Sequence, residues 1–164
     1  MSNKGAFTEA IRFFAGKEIL HPDKFYRLSA EARVKAFSVS HVTSLRVLKD
    51  LHAEVEKVLT DGGTLKGFQE AFNDILRNSG YAPANPRHIE IVFRQNIQTS
   101  YNVGRYAKQT ERAELRPFWV YNSIDDSGTT PLCYELGGHG SRPAVCYRYD
   151  HPFWDKYYPP NHFG

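Results

Sequence analysis

The stretch "PRHIEIVFRQNIQTSYNVGRYAKQTER", residues 86–112, decides how the rest of the chain is read. Its apolar positions recur at helical spacing and Pro86 suits a first turn, so it reads as the longest helix of the molecule. The inward face is Ile89, Val92, Phe93, Asn96, Ile97, Ser100, Tyr101 and Gly104, where large apolar residues alternate with small or polar ones. Gly104 costs about 1 kcal/mol of helix propensity relative to alanine, which implies that another backbone comes close there. A second stripe holds Arg94, Gln98, Tyr101 and Arg105. It reads either as a solvated polar face or as a network that pins the C-terminal segment to the helix.

Upstream, the periodicity stays helical. "HVTSLRVLKDLHAEVEKVLTDGG", residues 41–63, places Val42, Leu45, Leu48, Leu51, Val55, Val58 and Leu59 on one face before Gly62 and Gly63 end it. Thr64 then reads as the N-cap of "LKGFQEAFNDILRNSG", with the stripe Leu65, Phe68, Phe72, Ile75 and Leu76 and a stop at Gly80. Ser29 suits the N-cap of a short helix carrying Ala32, Val34 and Ala36, and "FTEAIRFFAGK" is a short amphipathic arm.

Downstream, the pattern changes. Phe118 to Tyr121 is an aromatic and β-branched run that reads as a strand, "DDSGTTP" is turn chemistry, "YELGGHGSRP" a glycine-rich loop and "VCYRYD" a second short strand. The tail "YRYDHPFWDKYYPPNHFG", residues 147–164, carries Pro152, Pro159 and Pro160, which predicts an extended strap and no helix. The expected fold class is α+β: a helical body with one long signature helix, then a small β-rich cap and an aromatic, proline-stiffened tail. Neither βαβ alternation nor a parallel sheet is expected. The length of 164 residues fits one domain, divided into an arm with short helices (1–40), a helical body (41–112) and the cap and tail (113–164).

With 41% hydrophobic and 24% charged residues the composition is globular, and no apolar run approaches the roughly 20 residues needed to span a bilayer. No secretion signal is expected from the first 20 residues, and no membrane partner. The net charge of +3 is spread along the chain, which favours a mixed-charge surface over a nucleic-acid tract.

Chemistry-bearing patterns are few. The glycines of "GGTLKG" and "GGHGS" do not have the spacing that wraps a phosphate, and none of Ser100, Ser123, Ser127 and Ser141 lies in a nucleophile elbow. No small-molecule substrate is expected. Cys133, His139, Cys146, His151 and His162 are zinc-ligating types crowded into the last third, without a Cys-x-x-Cys pair. They read as loop residues or as an irregular metal site. A metal-dependent nuclease or toxin-like enzyme is the alternative function on that second reading.

"FRQNIQTSYNVGRY" at 93–106, "TPLCYELGG" at 130–138 and "YDHPFWDKYYPPNHFG" at 149–164, in that order, resemble the phage Mu F-like head morphogenesis proteins. The early "AFTEAIRFFAGK" and "RVKAFSVS" are similar to the N-terminal part of the same family. The resemblance implies a minor capsid protein of few copies that acts in head assembly near the portal, with portal, capsid and scaffold proteins as partners and packaged DNA as a candidate contact. It also implies a place in the virion, and in the host cytoplasm during assembly. The family's helix signature falls on Arg94, Asn96, Gln98, Tyr101, Asn102, Gly104 and Arg105. A second element falls on Thr130, Cys133, Leu136 and Gly138, and the tail on Pro152, Phe153, Trp154, Pro159, Pro160, Asn161 and His162. None is implied to be catalytic.

Two departures from the family pattern shape further expectations. "HGSRPAVC" resembles an insertion into a usually short link. Family members commonly continue past Pro-Pro-Asn-His into Cys-Arg-Cys, where this sequence has ended at Gly164, so the resemblance implies a truncated or alternative product. Two further thiolates would join Cys133 and His162 to make a four-ligand zinc site; the present sequence is expected to bind zinc weakly or not at all. The tail is expected to pack Phe153, Trp154 and Tyr157 on the helical body, with Arg94 and Arg105 bonded to its carbonyls or carboxylates.

Overall fold

The order of elements follows the caps and stripes. The computed structural model describes residues 8–158, so the positions Pro159, Pro160, Asn161 and His162 lie outside the described residues. Two units divide the chain, one ending at Arg105 and the other starting at Tyr106.

The first unit opens with α1 (Thr8–Ala15), β1 (Glu18–Ile19), α2 (Pro22–Tyr26), α3 (Ala30–Val34) and β2 (Ala36–Phe37). Then come α4 (Leu45–Asp61), α5 (Leu65–Asn78) and α6 (Pro86–Glu111), which continues past the division. Ser29 caps α3 by accepting from Ala32 N, and Thr64 caps α5 by accepting from Gly67 N. Gly62 and Gly80, with φ of 79° and 77°, supply the left-handed turns that end α4 and follow α5. Ser44 caps α4, so Val42 stands before the helix, although it is buried in the core as its place in the stripe requires.

The core of this unit is the meeting of those stripes: Phe14 and Phe37 join Leu48, Leu51 and Val55 of α4, Phe68 and Phe72 of α5, and Ile89 of α6. Each such side chain contributes roughly 1.5–3 kcal/mol by leaving water. Tyr81, in the α5–α6 loop, accepts at its hydroxyl from the backbone N–H groups of Thr43 and Ser44, 3.3 and 3.1 Å away. One side chain thereby ties two loops together and fixes the entry of α4.

One expectation is overturned here: a parallel pair exists. β1 and β2 run parallel, with Glu18 opposite Ala36 and Ile19 opposite Phe37. Two residues per strand leave no alternation to read, and the pair is held because Phe37 is buried in the core beside Phe14. Ala36, expected on the helix, belongs to this strand.

The second unit contains β3 (Phe118–Val120), α7 (Pro131–Leu136), β4 (Cys146–Arg148) and α8 (Phe153–Tyr157). β3 and β4 are antiparallel, pairing Phe118 with Arg148, Trp119 with Tyr147 and Val120 with Cys146. Both expected strands are therefore present. A separate core gathers Trp119, Tyr121, Cys133 and Trp154, with Leu136, Val145, Tyr149 and Phe153 packed on it.

Two segments differ from expectation. Residues 134–136 are helix, because Thr130 and Pro131 form a cap and first turn that start α7 ahead of the glycines. The tail between Pro152 and Tyr158 is not extended: six residues without a proline lie between Pro152 and Pro159, enough for the single turn of α8 with Pro152 as its N-cap. The prolines bracket that helix and leave its interior intact.

Candidate functional site

On α6 the small and polar positions Asn96, Ser100 and Gly104 lie one turn apart and form a seam. Gly104 takes the backbone of α1: a methyl built there would stand 3.0 Å from Ala10 N and 3.2 Å from Ala10 Cβ. The close approach expected from this glycine is thus made by Ala10. Ser100, fully buried, donates from Oγ to Asn96 O at 2.7 Å, which disposes of a polar atom that has no access to water.

Asn96 works in two directions. Its Nδ2 donates to Val92 O at 2.8 Å, and its Oδ1 accepts from Lys17 Nζ at 3.0 Å. Lys17 is only 9% exposed and its ammonium stands 5.6 and 5.5 Å from the ring centres of Phe13 and Phe14. Burial pushes its pKa down from 10.5 to about 8. His52 continues the polar line inside the core: its ring stacks on Phe14 at 4.4 Å and Nε2 meets Phe14 O at 3.1 Å. Burial holds His52 below its usual pKa.

The outer stripe of α6 borders an open recess of about 340 Å³, lined by Leu65, Phe93, Arg94, Ile97, Gln98 and Tyr101. Arg94 does not act as expected: its Nε donates to Glu90 Oε1 at 2.7 Å, one turn back on the same helix. An i, i+4 pair engages the guanidinium locally through its Nε, at no cost in ordering a distant segment. Arg105 is exposed and, among the described residues, makes no hydrogen bond or ion pair. Asn102 is half-buried.

In the second unit the described signature positions Thr130, Leu136, Gly138 and Trp154 cap, pack or turn the chain. Thr130 caps α7 by accepting from Cys133 N at 3.4 Å, and Leu136 packs on the aromatic core. Gly138 has φ 77°, and a methyl there would meet Ala144 N at 2.3 Å, so only glycine lets the chain turn back towards β4. Trp154 is buried 5.7 Å from Trp119, ring centre to ring centre, and its Nε1 donates to Arg148 O at 3.0 Å. Phe153 also packs on Tyr121 of the hairpin.

Among the described residues of this unit, no three of the cysteine, histidine and acidic side chains converge. Cys133 is buried with its Sγ 3.2 Å from Tyr121 Oη, whereas Cys146 is exposed on β4. His139 Nε2 meets Ser123 O at 3.2 Å, and His151 Nδ1 accepts from Phe153 N at 3.1 Å while its ring stacks on Tyr147. Among the described residues no three His, Cys, Asp or Glu side chains form a group that could hold a metal ion. The crowding of ligand types along the sequence is therefore not a crowding in space there, and His162 falls outside the described residues.

Lys17, His52 and Tyr81 were not singled out from the sequence. Lys17 follows the stop of α1 at Gly16 and reads as a solvated residue; only the closing of the chain over α6 buries it. The amphipathic spacing around His52 was the one available signal, since it stands on α4 one position beyond Leu51.

The chain belongs to the Phage Mu protein F like family, whose model matches residues 49–164. It is 29% identical, over 93% of its own length, to "Putative capsid assembly protein F" of Escherichia phage Mu. A second relative, "Mu-like prophage FluMu F protein" of Haemophilus influenzae, is 28% identical over 85% of the chain. The chain spans 37% and 35% of the lengths of these two relatives. No solved structure matches it.

Proposed function

We propose that the chain is, or forms part of, a minor head protein that takes part in phage head assembly without turnover of a substrate. The observation that carries this reading is the family match across residues 49–164, joined to a relative named for capsid assembly. The positions of the signature support it in kind. Asn96, Gly104, Thr130, Gly138 and Trp154 cap, pack or turn the backbone, as befits a scaffold built to present surfaces.

The finer reading places the protein near the portal, in few copies, with portal and capsid or scaffold proteins as partners and packaged DNA as a further contact. Its site of action is then the virion and, during assembly, the host cytoplasm. No helix among the described residues is long and apolar enough to cross a membrane. Mass spectrometry of purified heads and procapsids of the parent phage tests the role. The chain is expected in both at low copy number relative to the major capsid protein, and its absence from both sinks the reading. Crosslinking within those particles tests the partners, with the portal as the expected adduct.

A further inference from the structure

α6 carries a stripe that is mostly exposed, with Tyr101 alone of its members packed against the core of its own unit. Arg87, Ile91, Arg94, Gln98, Tyr101 and Arg105 succeed one another at steps of four, three, four, three and four residues. That averages about 3.6 residues, the period of one face of an α-helix, and at 1.5 Å per residue the stripe extends roughly 27 Å. Arg87, Arg94, Gln98 and Arg105 are exposed, and Ile91 is a 37% exposed apolar residue among them.

Of the three guanidinium groups on this face, that of Arg94 alone has an ion-pair partner among the described residues, the carboxylate of Glu90. Glu90 engages only the Nε of Arg94, leaving the terminal amino groups of Arg94 without a partner among the described residues. The guanidinium fork suits a second, incoming carboxylate. Beside it, the apolar floor of the recess, formed by Leu65, Phe93 and Ile97, is open to one apolar side chain.

We propose that this face of α6 docks an acidic amphipathic helix of a partner protein, with one apolar residue seated in the recess and carboxylates on Arg87, Arg94 and Arg105. The length of the stripe suits a helix laid along it, the arginines select acidic residues, and the recess selects an apolar knob that a phosphate ladder lacks. The inference names a partner surface for the assembly role proposed above and rests on that role for the existence of a protein partner.

The test is fluorescence anisotropy with the full chain and three labelled probes: a 21-residue helical peptide with leucines along one face and glutamates elsewhere, the same peptide with lysines for glutamates, and a 20-base-pair duplex. The glutamate peptide is expected to bind, and the lysine peptide not to. Arg94→Glu is expected to weaken that binding by about tenfold or more. Gln98→Trp, at the mouth of the recess, is expected to weaken it as well, with melting curves of both variants matching the parent protein. The proposal is overturned if the glutamate peptide fails to bind at millimolar concentration, if Arg94→Glu binds it as the parent does, or if the duplex binds more tightly than the peptide. Failure of the peptide with the chain still present in heads removes this surface alone, while absence of the chain from heads and procapsids removes the assembly role.

Discussion

Gly104 of α6 and Ala10 of α1 meet so closely that a single methyl group on the glycine would stand 3.0 Å from the Ala10 nitrogen. The neighbour is backbone, which cannot swing away as the end of a long side chain can. Gly104→Ala therefore sets a gain of about 1 kcal/mol in helix propensity against an overpacking cost of roughly 1–3 kcal/mol. The expected outcome is a net loss of about 1 kcal/mol, and a larger one for Gly104→Leu, read as a lower urea midpoint at unchanged slope. A Gly104→Ala protein more stable than the parent would show that α1 yields freely and that the glycine is not there for packing.

The Lys17–Asn96 contact predicts a pH dependence with a definite sign. Burial lowers the Lys17 pKa from 10.5 to about 8. Between those values the unfolded chain holds a proton that the folded chain has released, so stability rises with pH across the window from about 8 to 10.5. Below it both states are protonated and this contribution is flat. The full rise is on the order of 3 kcal/mol, the product of that shift and the energy of one pKa unit. Other groups titrate in the same range, so the measurement is a difference: stability from urea unfolding at pH 7.5 to 10.5 for the parent and for Lys17→Met. The parent is expected to gain relative to the variant, and parallel curves would mean that Lys17 is solvated in the folded state.

Much of the helical unit was legible because its signals are local. Ser29 and Thr64 cap where the helices begin, Gly62 and Gly80 turn the chain where they end, and the stripes through Leu51 and Phe72 are the core. The same reasoning reached the close approach at Gly104, because a glycine inside a long helix needs a neighbour to explain it. It failed where the decisive partner is far along the sequence or where the element is too short to show a period. β1 and β2 have two residues each, and α8 is one turn between prolines. Arg94 was assigned a distant partner when a carboxylate four residues back was available to it. The cysteines and histidines of the last third were grouped by type, whereas among the described residues no three side chains of ligating type gather in space.

Both tryptophans of the chain, Trp119 and Trp154, lie in the core of the second unit. Indole fluorescence therefore reports that unit alone, while far-ultraviolet circular dichroism is dominated by the long helices α4, α5 and α6. Trp154→Ala removes a buried ring together with its bond to Arg148 O, at an expected cost of about 3–5 kcal/mol. The emission of Trp119 should shift to the red in that variant at a temperature where the helical signal persists. Loss of both signals together at one midpoint would show that the aromatic core and the helices unfold as a single cooperative body.

The two cysteines offer a probe of the same core and of its metal chemistry. Cys146 is exposed on β4, and Cys133 is buried with its sulfur 3.2 Å from the Tyr121 hydroxyl. A thiol reagent under native conditions is expected to modify one thiol per chain at once and the second only as the unit opens, since a buried thiol reacts through local or global unfolding. Cys146→Ser should abolish the fast phase and leave the slow one. Cys133 is also the cysteine on which the expected zinc site depends, and among the described residues no three His, Cys, Asp or Glu side chains form a group that could hold a metal ion. Adding a chelator to this chain is accordingly expected to leave both the slow rate and the melting temperature unchanged. A chelator that speeds the slow phase, or stoichiometric zinc by elemental analysis, would place a metal on Cys133 and overturn its assignment as a packed core thiol.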